Sequence, residues 1–167
     1  MGGRRSQARR YAVLALYQWQ LTGQDPVEIG RHFFDDPAWL GEVAESFADV
    51  SDSAASVTKE AYAFDRELFQ QLLLGVPAHL KELDERLQTA LDRPVERVDP
   101  VERAILRAGV YELLYSPSVP YRVAINEAID NAKLLGAEQG HRYVNGVLDR
   151  VARGARTPET EGGVSAG

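Results

Sequence analysis

The chain has 167 residues, 44% of them apolar, with no cysteine and a formal net charge of −6. That composition suits one compact globular domain or two tightly packed subdomains, and it excludes disulfides, thiolate metal sites and a cysteine nucleophile. Apolar runs such as Tyr11 to Tyr17 and Leu72 to Leu74 fall well short of the roughly 20 residues that cross a bilayer, and no apolar signal segment follows the charged N-terminus, so a cytoplasmic protein is expected.

The first helix is expected from about Ser6 to Leu21, where Ala12, Ala15, Leu16 and Trp19 recur at the spacing of one buried face, and Thr22-Gly23 stops it. Asp25-Pro26 caps and opens a short second helix holding Ile29 and Phe33, which Asp35-Asp36-Pro37 breaks. Ala38 to Phe47 forms another short helix, with Leu40, Val43, Ala44 and Phe47 on one side, and the polar stretch Asp49 to Ser56 is a surface loop. A strong helix runs from about Lys59 to Leu74 on a spine of Leu68, Leu72 and Gly75, and Val76-Pro77 breaks or kinks it. Ala78 to Leu91 is the next helix, with Leu80, Leu83, Leu87 and Leu91 on its apolar face. Asp99-Pro100-Val101-Glu102 then starts a helix to about Tyr115, with the acid placed as in a capping box. A turn over residues 116–120 leads to a helix from Tyr121 to Gly136, and a last helix spans about Glu138 to Ala152. No alternating strand pattern occurs, so the fold class is all-α, with short turns between helices. Residues 154–167 are expected to be a disordered tail.

Charge is segregated along the chain. Residues 1–10 carry Arg4, Arg5, Arg9 and Arg10 and no acid, whereas residues 25–52 carry eight acids and one base, Arg31. Cations at a helix N-terminus oppose its macrodipole at about 0.3–1 kcal/mol each. Four of them therefore point either to an anion that neutralises them, such as RNA phosphate, or to a solvated terminal arm. Further on, Arg122, Lys133, Arg142 and Arg150 are interleaved with Tyr121 and Tyr143 on the last two helices. That arrangement suits stacking of single-stranded bases, and it equally suits half-buried tyrosines with wet hydroxyls. Gly146 is expected to let another helix pack closely, while Asn145 either bonds backbone there or faces RNA. Glu82, Asp84, Glu85, Arg103 and Arg107 read as solvent faces. No nucleotide-binding or nucleophile motif is present, and His32, His79 and His141 lack a ligand spacing, so neither catalysis, a metal nor a cofactor is expected.

Three segments carry a resemblance. Val119-Pro120-Tyr121-Arg122-Val123-Ala124-Ile125-Asn126-Glu127-Ala128 is followed by Ala132-Lys133, Gly136-Ala137-Glu138 and Tyr143-Val144-Asn145-Gly146-Val147-Leu148. Upstream stand Arg9-Arg10 with Ala15-Leu16-Tyr17 and Trp19-Gln20, then Glu102-Arg103, Leu106-Arg107 and Tyr111-Glu112-Leu113. In order and spacing these segments resemble the NusB transcription-antitermination family over about residues 4–153. The resemblance implies a compact bundle of two three-helix subdomains, here about 4–91 and 92–153. It implies a non-enzymatic adaptor that binds boxA-type RNA together with NusE, a small-subunit ribosomal protein. That pair enters the RNA polymerase antitermination complex with other Nus factors and promotes transcription of ribosomal RNA operons. Carried over by position, the resemblance assigns RNA contacts to Arg4, Arg5, Arg9, Arg10, Tyr17, Lys133, Gln139, Arg142 and Tyr143, and a NusE-facing or junction role to Glu102. Two departures stand out: Ser6 and Gln7 replace arginines common in relatives, and Gln139 replaces a common acid. Domains of this kind also precede certain RNA cytosine methyltransferases, but those need a cysteine, which this chain lacks.

Overall fold

The structure, a computed structural model, describes residues 3–46, 63–136 and 139–156. Within them eight α-helices and one 3-10 turn occur, and no strand. The chain divides into two compact units, Met1–Leu74 and Gly75–Gly167.

The first unit holds α1 (Arg4–Thr22), α2 (Pro26–Asp35), α3 (Pro37–Glu45) and most of α4 (Arg66–Ala78). Gly23 ends α1 at φ +70°, a left-handed conformation that glycine adopts without a Cβ penalty, and its N–H donates to Trp19 O at 2.9 Å. Three aspartates cap the helices that follow. Asp25 accepts from Val27 N at 2.9 Å, Asp36 from Trp39 N at 3.1 Å and Asp65 from Leu68 N at 3.0 Å. Asp36 thus closes α2 and opens α3 in one residue, where the sequence suggested only a break. Buried aromatic rings fill the middle: Tyr11 meets Phe64 edge-on at 5.0 Å, Phe33 meets Phe69 at 5.0 Å, and Phe64 meets Phe69 edge-on at 5.7 Å. Burying each such ring contributes about 1.5–3 kcal/mol, and edge-on pairing adds about 0.5–1.5 kcal/mol.

The second unit holds α5 (Leu80–Ala90), a 3-10 turn (Val95–Arg97), α6 (Pro100–Tyr115), α7 (Tyr121–Leu135) and α8 (Gly140–Ala155). Asp99 caps α6 by accepting from both Val101 N and Glu102 N at 3.1 Å. Every residue from Ala104 to Leu113 is buried, because α6 packs against α5, α7 and α8. At Gly109 an added Cβ would lie 2.9 Å from Leu148 Cδ1, and at Gly75 it would enter the ring of Tyr111.

Several expectations are corrected here. The two units divide within α4, and α5 is tied to α6: Arg107 Nε and Nη2 each donate to the Asp84 carboxylate at 2.9 Å, and the Tyr115 hydroxyl bonds Glu82. Asp84 and Arg107 are accordingly not solvated faces, and Arg103 is half-buried with Nη1 donating to Glu96 O at 3.1 Å. Pro77 lies within the last turn of α4, so the break comes at His79, two residues later than expected. Gly146 is not a close contact, since the nearest atom to an added Cβ is Arg150 Nη1 at 3.6 Å. The last helix runs on to Ala155, and Arg156 is buried, so residues 154–156 belong to the folded unit and not to a tail. The expected loop at 49–56, Phe47, residues 59–62, Glu138 and the tail at 157–167 lie outside the described residues.

Candidate nucleic-acid interface

The basic start of the chain is helical from Arg4, ahead of the expected Ser6. Gly3 provides no side-chain cap and the first turn holds no acid, so the positive end of the α1 dipole and the arginines add to one electropositive surface. Arg4 and Arg5 are exposed, Arg10 and Tyr17 half-buried. Arg5 Nη1 reaches Asp65 Oδ2 at 3.5 Å, a loose exposed pair that an incoming phosphate can replace. Arg9 differs from its neighbours: only 5% exposed, it is a buried residue of α1 and not part of an open arm. Gln7, one of the departures from the family pattern, accepts from Arg10 Nη1 at 3.0 Å and donates to the Tyr11 hydroxyl at 2.7 Å. It thereby fixes the Arg10 guanidinium over the first turns of α1.

The second unit carries a separate cluster. Lys133 lies in the last turn of α7, Gln139 precedes α8, and Arg142 and Tyr143 lie in its first turn; Lys133, Gln139 and Arg142 are exposed and Tyr143 is half-buried. The Arg93 guanidinium sits 4.9 Å from the Tyr143 ring centre and bonds Asp92 through Nε at 2.8 Å, while the Tyr143 hydroxyl donates to Asp92 at 3.3 Å. The hydrogen bond from Arg93 holds the Asp92 carboxyl below the usual carboxylate range, and partial burial raises the Tyr143 phenol. Arg93 was missed in the sequence because it stands in a connector, 50 positions from Tyr143, with no periodicity to mark it. Glu102 lies below this cluster: an added Cβ at Gly140 would fall 2.6 Å from its Oε1. Its carboxyl is raised, first by partial burial and then by Asp99, with Arg93 opposing.

One of the expected basic groups is engaged within the fold. Arg150 donates from Nε and Nη2 to Ala90 O at 3.1 and 2.9 Å, closing the C-terminus of α5. Tyr121 is buried at 8% exposure, and Arg122 covers its ring at 5.3 Å. The described residues contain no group of three or more His, Asp or Glu able to hold a metal, and no described helix is long and apolar enough to cross a membrane.

Taken together, the described residues define an all-helical protein of two units, the first opening on exposed arginines and the second carrying exposed lysine and arginine near a half-buried tyrosine. The NusB family model matches residues 6–153, and the chain belongs to the NusB family. The transcription antitermination protein NusB of Nitrosococcus oceani is 47% identical over 95% of this chain and 92% of its own length. That of Alkalilimnicola ehrlichii is 46% identical over 94% of this chain and 85% of its own. Among solved structures, NusB of T. maritima shares the fold at a TM-score of 0.67, with 24% identity over 96% of this chain and 99% of its own. A crystal structure of the antitermination factors NusB and NusE in complex with double-stranded RNA matches at a TM-score of 0.65, with 27% identity over 89% of this chain and 96% of that one.

Proposed function

We propose that this chain is an RNA-binding transcription antitermination factor, which binds boxA-type RNA jointly with NusE and acts in the cytoplasm without catalysis or cofactor. The complex joins RNA polymerase with other Nus factors and keeps transcription of ribosomal RNA operons processive. The observation that carries this reading is the 47% identity to a transcription antitermination protein NusB across 95% of the chain. A solved relative held with NusE and RNA supports the choice of partners.

The RNA contacts proposed are Arg4, Arg5, Arg10 and Tyr17 in the first unit, and Lys133, Gln139, Arg142 and Tyr143 in the second. Exposed arginines at an uncapped helix start suit phosphates, and Tyr143 with Arg93 beside it suits an unstacked base. Arg9 supports this surface from inside α1. Glu102 is proposed to serve the NusE-facing junction.

The test is fluorescence anisotropy of a labelled boxA-type RNA with this protein, with NusE and with both, over a salt series. Tighter binding by the pair, lost when the boxA sequence is scrambled, is expected. Binding indifferent to sequence and to NusE would overturn the adaptor reading.

A further inference from the structure

Outside the surfaces above, α7 and α8 enclose a groove of about 360 Å³. We propose that this groove binds a single nucleotide, phosphate at one end and base at the other. The site deepens the RNA-binding reading and rests on it only for the source of that nucleotide.

The groove follows from helical spacing. On α7, Tyr121 and Ile125 are one turn apart, as are Arg122 and Asn126, while Asn145, Asp149 and Arg153 repeat every four residues along α8. Arg156, just past α8, donates to Val119 O, just before α7, so the end of α8 lies beside the start of α7. The two helices therefore run antiparallel along the groove. Arg122 and Arg153 share one end, and Asn126 and Asn145 mark the other.

Each group then has a chemistry to offer. Arg122 is exposed, with its guanidinium carbon 5.3 Å from the centre of the Tyr121 ring, giving a cation on an aromatic support. Arg153 holds Asp149 at 3.1 Å in an open pair, with side chains 71% and 43% exposed, which a phosphate can readily enter. Asn126 and Asn145 are exposed and line the groove. Each has paired donors and acceptors, the complement of a base edge, and Asp149 between the ends can accept from a base amino group. Asparagine is a poorer helix former than alanine, so two facing each other across a groove are not explained by helix stability. The volume lies at the small end of ligand sites, suited to one nucleotide. Two arginines against one aspartate disfavour a basic peptide and favour an anion.

Nuclear magnetic resonance of the full-length, 15N-labelled protein tests this. The side-chain NH2 signals of Asn126 and Asn145 are assigned with Asn126→Asp and Asn145→Asp. Titrants are the four nucleoside monophosphates, inorganic phosphate and an acidic tetrapeptide. At least one monophosphate is expected to shift both signals saturably, with binding roughly tenfold weaker in each Asn→Asp variant, the loss of one two-point base contact. No saturable shift with any nucleotide would overturn the site. An equal response to phosphate alone would reduce it to an anion site, and a response to the peptide alone would reassign it, each overturning the proposal. The titration needs neither NusE nor boxA, so its failure is distinguishable from failure of the anisotropy test.

Discussion

Arg107 and Asp84 face each other in a two-pronged ion pair, both N–O distances 2.9 Å, with side chains 11% and 27% exposed. This pair attaches α5 to the central helix α6. Removing one partner of a buried pair strands the other, at about 3–5 kcal/mol when burial is complete. With Asp84 partly wet, Arg107→Ala is expected to cost about 2–3 kcal/mol, read as a fall in the urea midpoint at unchanged slope. Arg107→Met with Asp84→Leu should recover much of that loss. A double variant no better than the single one would show that the pair itself, and not stranded charge, sets the cost.

Arg156 makes a second long-range tie. Its guanidinium donates to Leu113 O at 2.7 Å, Val119 O at 3.0 Å, Glu112 O at 3.1 Å and Ser116 O at 2.9 Å. These carbonyls end α6 and form the following turn, so one side chain satisfies groups that a helix C-terminus leaves open. Arg156→Ala is expected to destabilise by about 3 kcal/mol, given charge-assisted bonds of about 1.5–3 kcal/mol each that do not add fully. Arg156→Lys should restore less than half, because a single ammonium has three donors and no planar fork. Full stability in Arg156→Lys, measured by thermal or urea unfolding, would contradict this account.

The caps and apolar spines were legible in the sequence because each is a local pattern. Asp25-Pro26 and Asp99-Pro100 start helices where expected, and Gly75 stands on a spine where the chain packs closely. What escaped was the destination of long side chains. Arg9, Arg107, Arg150 and Arg156 look alike in sequence, yet each is buried or bonded to groups far along the chain. An arginine stem reaches several ångströms in any direction, and local spacing does not say which. Arg93 beside Tyr143 was hidden for the same reason, while the exposed candidates Arg4, Arg5, Lys133 and Arg142 needed only their own element to be placed.

The arginines of α1 should separate in function. Arg4→Ala with Arg5→Ala is expected to leave the urea midpoint unchanged and weaken RNA binding, with the salt slope reduced by about 0.7 per lost phosphate contact on single strands. Arg9→Ala should act first on stability, since Arg9 is 5% exposed. Equal loss of RNA binding in a fully stable Arg9→Ala variant would place Arg9 on the RNA surface instead.

Two glycines make a controlled comparison. At Gly75 a methyl group enters the Tyr111 ring, which is itself only 7% exposed, so Gly75→Ala is expected to cost about 1–3 kcal/mol or more through overpacking. At Gly146 only the far end of Arg150 is near, at 3.6 Å, so Gly146→Ala should gain up to about 1 kcal/mol from helix propensity. Unfolding midpoints moving in opposite directions would bear out the comparison. A loss at Gly146 as large as at Gly75 would mean that α8 packs more closely there than it does.

Glu102 gives a pH dependence with a definite sign. Partial burial is the largest cause raising its carboxyl above the ordinary value of 4.5, Asp99 adds, and Arg93 opposes. A raised folded value means that the folded protein holds the proton more tightly than the unfolded chain does. Its stabilising contribution is therefore full below the unfolded value and is lost as pH rises through the folded one. Glu102→Gln carries no such charge. The variant is expected to be more stable than the parent at neutral pH, by about 0.5 kcal/mol or less because the site is largely wet. The advantage should shrink as pH falls through the carboxylate range, around pH 4. Urea unfolding of both proteins over that range reads the difference directly. An advantage independent of pH would assign the effect to packing against Gly140, and a variant less stable than the parent at neutral pH would show that the ionised carboxylate at the start of α8 is favourable there.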